Sequence, residues 1–148
     1  MKQIDKYLVR TDIAYDPETL FWVDTSGSTA VIGMSPLVQE TSGNFVAIQL
    51  KEVGEQFSKG EAIGTVEAEK HVGPIKAPVS GKVLAVNNQV IEQPGKLNTD
   101  PYGEGWIMEI ELSGPTEVHD LVTGENNVIE WFEKELAKFT DKGWIAQP

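Results

Sequence analysis

The stretch Gly60-Glu61-Ala62-Ile63-Gly64-Thr65-Val66-Glu67-Ala68-Glu69-Lys70-His71-Val72-Gly73-Pro74-Ile75-Lys76-Ala77-Pro78-Val79-Ser80-Gly81 decides how this chain folds. Gly60 stands ten residues before Lys70 and Gly81 eleven after it, with a β-like arm on each side. The segment, about residues 60–81, therefore reads as a hairpin with Lys70 at its tip. Gly73-Pro74 follows at once. Glycine accepts positive φ and proline fixes its own, so this pair is expected to tighten the reversal and leave Lys70 held and exposed.

Outward from the hairpin the same grammar repeats. Leu20-Phe21-Trp22-Val23, Thr29-Ala30-Val31-Ile32-Gly33, Phe45 to Leu50 and Lys82 to Val86 are short β-type runs parted by Gly, Pro, Asn and Asp. Glycines 54, 60, 64, 73 and 81 suit a small barrel or sandwich whose corners need glycine. Between two of the runs, Ser35-Pro36 to Gly43 predicts one short helix, with Ser35 as cap and proline in the first turn. Near the end, Ile129, Phe132, Leu136 and Phe139 recur at helical intervals. They predict an amphipathic helix over about 127–140, with Asn127 as N-cap and Gly143 beyond its end. Trp22, Trp106 and Trp131 are expected to pack, and Trp144 falls in a short tail. The fold class is mainly β, a single domain over 1–148.

Composition narrows the function. A chain of 148 residues, 40% hydrophobic, can bury one core. With no cysteine there is no disulfide, thiolate metal site or cysteine nucleophile, so any thiol chemistry must come from an attached group. A formal net charge of -11 argues against nucleic acid and suits partners with basic docking surfaces. Lys2, Asp5, Lys6 and Arg10 interrupt the first ten residues, so a signal peptide or membrane span is not expected and the protein reads as cytoplasmic. His71 and His119 are the only histidines, and the sequence offers no plausible nucleophile and base set around either. A non-catalytic role follows. The glycines form no phosphate-binding loop. Biotin carriers bracket their lysine with methionines, whereas Glu69 and His71 flank Lys70.

Val66-Glu67-Ala68-Glu69-Lys70 followed by Ala77-Pro78-Val79-Ser80-Gly81, and downstream Asn98-Thr99-Asp100-Pro101-Tyr102-Gly103-Glu104-Gly105-Trp106, resemble the two hallmarks of the glycine cleavage H-protein family. The resemblance implies a lipoyl-type barrel-sandwich, or hammerhead, and covalent lipoic acid on Lys70. A lipoate ligase or lipoyl transferase would attach it with Glu67 helping recognition, and dihydrolipoamide dehydrogenase would reoxidise it. The resulting swinging arm, on the order of 14 Å by bond counting, would shuttle an intermediate between enzymes.

Three positions depart from the family pattern. The family's Glu-Ser-Val-Lys is Glu67-Ala68-Glu69-Lys70 here, an aspartate four residues after the lysine becomes Pro74, and His-Glu-Trp becomes Leu20-Phe21-Trp22. An aminomethyl cargo calls for carboxylates near its ammonium, which Phe21 and Pro74 cannot supply. An apolar Phe21 suits sulfur instead. These departures point to a divergent H-like lipoate-binding protein serving a heterodisulfide-reductase-like complex of sulfur oxidation. The alternative is the H-protein of glycine cleavage carrying the aminomethyl group among its enzymes, and a remote one is an unmodified interaction module. Lys70, Glu67, Glu69, His71 and Phe21 are the candidate cofactor-binding residues, and no metal is expected.

Overall fold

The structure is a computed structural model that describes residues 1–114 and 116–141. The chain opens with a hairpin of β1 (Lys2–Ile4) and β2 (Tyr7–Val9), turning at Asp5, whose φ is 53°. β3 (Ala14–Tyr15), β4 (Phe21–Ser26) and β5 (Thr29–Met34) follow, then helix α1 (Pro36–Ser42). After them come β6 (Phe45–Leu50), β7 (Gln56–Phe57), β8 (Ala62–Ala68), β9 (Val72–Lys76) and β10 (Gly81–Val86). The short helices α2 (Asn88–Glu92) and α3 (Lys96–Thr99), β11 (Met108–Leu112), a 3-10 turn (Thr116–Asp120) and α4 (Glu125–Asp141) complete the order. Six strands form one sheet in the order β3-β4-β5-β11-β10-β7, and β6-β8-β9 form a second.

The two sheets close on a shared apolar core. Val23, Ile32, Val83 and Ile110 from the first meet Ile48, Ile63, Val66 and Ile75 from the second, all buried. This is the mainly β barrel-sandwich expected from the glycine-punctuated runs. β4 shows no polar alternation because both its faces are covered. Phe21 and Val23 belong to the inter-sheet core, whereas Trp22 joins Ile4, Val9, Leu37, Val128 and Phe132 in a second cluster. That cluster is where α4, α1 and the first hairpin pack on the sheet. No helix among the described residues is long and apolar enough to cross a membrane.

Local expectations need four corrections. Ser35 precedes α1, but its Oγ is buried and makes no hydrogen bond. Pro36 has no N–H to offer, and the Val38 amide already donates to the Ser35 carbonyl at 3.1 Å. α4 starts at Glu125, ahead of Asn127. Gly124 sits at its entry with φ 90°, its carbonyl accepting from Val128 N, while Asn127 Nδ2 donates back to Thr123 O at 3.0 Å. Gly64 is not at a corner but inside β8, while Gly81 opens β10; an added Cβ at these positions would strike the Gln49 and Glu111 carbonyl oxygens of neighbouring strands. Short helices α2 and α3 lie where no helix was expected. Gly143 and Trp144 fall outside the described residues.

Candidate functional site

β8 and β9 pair antiparallel with Glu67 opposite Val72, and the Ala68 amide donates to the His71 carbonyl at 2.8 Å. The reversal is therefore made by Glu69 and Lys70 themselves, and Lys70 is exposed at its tip. Gly73-Pro74 does not make the turn, since both residues lie within β9 opposite Val66 and Thr65. Proline is tolerated there because β9 is an edge strand and needs no outward N–H. Gly73 gives room to the His71 imidazole, whose Nε2 would lie 3.3 Å from an added Cβ.

The tip rests on the end of α1. Lys70 N donates to Ser42 O at 2.9 Å and Glu69 N to Asn44 O at 3.1 Å, while Asn44 N donates to Glu69 Oε1 at 2.8 Å. The chain leaves α1 through Gly43, whose φ of 74° favours glycine. Asn98, in α3, grips both sides of this loop. Its Nδ2 donates to Gly43 O at 3.0 Å and its Oδ1 accepts from Phe45 N at 3.0 Å. The downstream motif thus reaches the lysine hairpin through one side chain.

Beside the tip opens a cleft of about 250 Å³. Leu20, Phe21, Met34, Val38 and Pro74 give it an apolar lining, and Glu18, His71 and Lys76 bring ionisable groups. One wall is the β3–β4 loop, organised by the Asp16 carboxylate. That buried group accepts from Thr19 N at 3.2 Å and Thr19 Oγ1 at 2.7 Å, with Lys59 Nζ 4.0 Å away. Leu20 is held in the left-handed region at φ 67°, its amide donating to Asp16 O and its carbonyl accepting from Ser35 N. A leucine there costs on the order of 1 kcal/mol, which those bonds offset.

Of the sequence candidates, His71 and Phe21 line the cleft, with Phe21 buried, while Lys70 stands exposed on the turn beside His71. Glu67 lies apart, on the exposed face of the hairpin with Ala47 and Val72 in a shallow groove. Glu69 turns away to hold the loop after α1. Ser42, Asn44 and Asn98 were not anticipated as supports of the tip, nor Glu18 as a cleft residue. Their partners lie far away in sequence, and the side-chain types alone carry no signal of those partners.

The rest of the downstream motif clamps the second core. Trp22 Nε1 donates to Pro101 O at 3.0 Å, and the Tyr15 and Tyr102 hydroxyls share a hydrogen bond of 2.7 Å. Tyr15 Oη also donates to Arg10 O at 2.6 Å. Asn87 caps α2 and donates to the Glu104 and Trp106 carbonyls, while Lys96 and Glu104 form an ion pair. Burial pushes both phenols up, Tyr102 to about 12. Neutral in the fold and easier to ionise when unfolded, the pair contributes stability that is complete below pH 10 and is lost as the pH rises towards 12. Alkaline ultraviolet titration is expected to show Tyr102 ionising near pH 12, and ionisation near pH 10 in the native protein would contradict this.

This arrangement, a lysine on a two-residue hairpin turn over an apolar cleft, matches known proteins over most of its length. A family comparison aligns residues 13–135 with the glycine cleavage H-protein. The chain belongs to the glycine cleavage H-protein family. It is 41% identical over 108 residues to the glycine cleavage system H protein of Methylacidiphilum infernorum, covering 73% of this chain and 84% of that one. With the corresponding protein of Carboxydothermus hydrogenoformans it shares 39% over 119 residues, covering 80% and 91%. A crystal structure of a glycine cleavage system H protein from Mycobacterium marinum superposes with a TM-score of 0.72 at 30% identity, covering 82% of this chain and 98% of that one. Members of the H-protein family are non-catalytic carriers with lipoate attached covalently to a lysine. The relatives carry the glycine cleavage name, so the comparisons favour that alternative over the sulfur-carrying role to which Phe21 and Pro74 pointed.

Proposed function

We propose that Lys70 is the lipoylated lysine and that this chain is the cytoplasmic H-protein of a glycine cleavage system, serving its enzymes in turn. The observation that carries this reading is the placement of Lys70 at an exposed turn whose neighbours, Ser42 and His71, line the cleft. The residues fit the cofactor. Leu20, Phe21, Met34, Val38 and Pro74 offer an apolar bed of about 250 Å³ to an acyl chain and its dithiolane, and the lysine amine is free to form the amide. Bound there, the lipoyl arm would supply a disulfide that is opened and reduced as it takes up the aminomethyl group and is left as a dithiol once the group is given up.

Glu18 supports the glycine role over the sulfur one. Phe21 and Pro74 bring no carboxylate to the cleft, and Glu69 is engaged with Asn44, but Glu18 stands on the cleft wall and can face an ammonium. A lipoate ligase or lipoyl transferase would load Lys70, with Glu67 on the exposed hairpin face within its reach, and dihydrolipoamide dehydrogenase would reoxidise the arm. Lipoylated protein supplied with the other glycine cleavage enzymes is expected to support glycine-dependent release of carbon dioxide, and Lys70→Arg to abolish it. Lipoylated wild type that supports none would overturn the glycine role and return the sulfur-oxidising complex to consideration.

A further inference from the structure

We propose that Glu69 is a latch that positions Lys70, its carboxylate fixing the direction in which the lysine leaves the tip by accepting the Asn44 amide. This rests on Lys70 being the modified lysine. Two backbone bonds, Lys70 N to Ser42 O and Glu69 N to Asn44 O, set where the tip lies, but both join it to the same short run of chain. A further bond, from Asn44 N to Glu69 Oε1 at 2.8 Å, closes a ring through Asn44 and adds a side-chain tie to those of the backbone.

The loop is built to receive this side chain. Asn98 satisfies Gly43 O and Phe45 N, which leaves the Asn44 amide as the donor available to Glu69. Gly43 lies directly beneath, where an added Cβ would come 3.0 Å from Glu69 Oε1 and 3.2 Å from its Cβ. General electrostatics do not explain the contact, because the C-terminal end of a helix disfavours a carboxylate and the last turn of α1 holds no basic residue. A charge-assisted bond to one specific amide does. Its removal deletes neither backbone bond, so the side chain is assigned the orientation of the tip and not its folding. An enzyme that must bring an acyl carbon to Lys70 Nζ then meets a root of fixed direction, which lowers the ordering cost at that step.

The test uses the full-length unmodified chain as wild type, Glu69→Val and Glu69→Gln. Hydrogen exchange at the Asn44 amide is read by NMR. Modification is read as kcat/KM with a lipoate-protein ligase, lipoate and ATP. In Glu69→Val, Asn44 exchange is expected to rise roughly tenfold or more and kcat/KM to fall severalfold, with the melting temperature little changed. Glu69→Gln keeps a carbonyl acceptor and is expected to restore most of both. Unchanged Asn44 exchange in Glu69→Val would overturn the latch, whatever its melting temperature. Unchanged kcat/KM alongside raised exchange would overturn its role in positioning, and Gln behaving like Val in both readouts would overturn the hydrogen bond to Asn44 as the cause. Should wild type itself resist lipoylation, the assignment of Lys70 fails, while Asn44 exchange still decides whether Glu69 latches the tip.

Discussion

Gly64→Ala is expected to lower the stability of the fold by about 3 kcal/mol or more, a large share of what a domain of this size holds. Gly64 lies in β8 between Leu50 of β6 and Ile75 of β9, beside an irregularity in the β8–β9 pairing. A Cβ there would collide with the Gln49 carbonyl oxygen. A backbone oxygen cannot swing aside as a side-chain end can, so β6 and β8 must part at the root of the hairpin that carries Lys70. Gly27 is the control, because its φ is 63° but nothing lies within 4 Å of an added Cβ. Alanine there is expected to cost only about 1 kcal/mol, from its backbone conformation. Urea unfolding of the two variants measures the difference. A loss at Gly64 no greater than at Gly27 would show that the strands can shift to admit the methyl group.

Asn98→Ala is expected to cost about 1–3 kcal/mol, because it strands the Gly43 carbonyl and the half-buried Phe45 amide together. The effect should not stay local. Gly43 to Phe45 is the platform on which Glu69 and Lys70 rest, so its loosening is expected to raise amide exchange at Lys70 and to slow modification of the lysine. Replacement of the exposed Asn88 at the start of α2, which makes no comparable bridge, serves as the reference. Equal stability and equal exchange in both variants would contradict the bridging role of Asn98.

The hairpin, the mainly β architecture, the short helix before β6 and the C-terminal helix were legible because they rest on local periodicity and turn chemistry. So was the place of Lys70 at the hairpin tip, which follows from the symmetry of its flanks. What escaped the sequence depends on contacts across long stretches of chain. Asn98 acts on residues more than fifty positions earlier, and nothing within its own motif announces them. Glu18 becomes a cleft residue only because Asp16 folds the β3–β4 loop against Leu20. Gly73-Pro74 looks like a turn in sequence, but the edge position of β9 lets it continue a strand. The replacement of family residues by Phe21 and Pro74 was visible, whereas the Glu18 carboxylate on the cleft wall, which favours the glycine alternative, was not.

The central claim is that Lys70 carries the lipoyl group. Intact mass of the protein isolated from its own cells, with peptide mapping and a Lys70→Arg variant alongside, tests it most directly. The predicted result is a lipoyl increment on the peptide containing Lys70 and none on the variant. An unmodified Lys70 in cells that lipoylate other proteins, or an increment placed on another lysine, would contradict it.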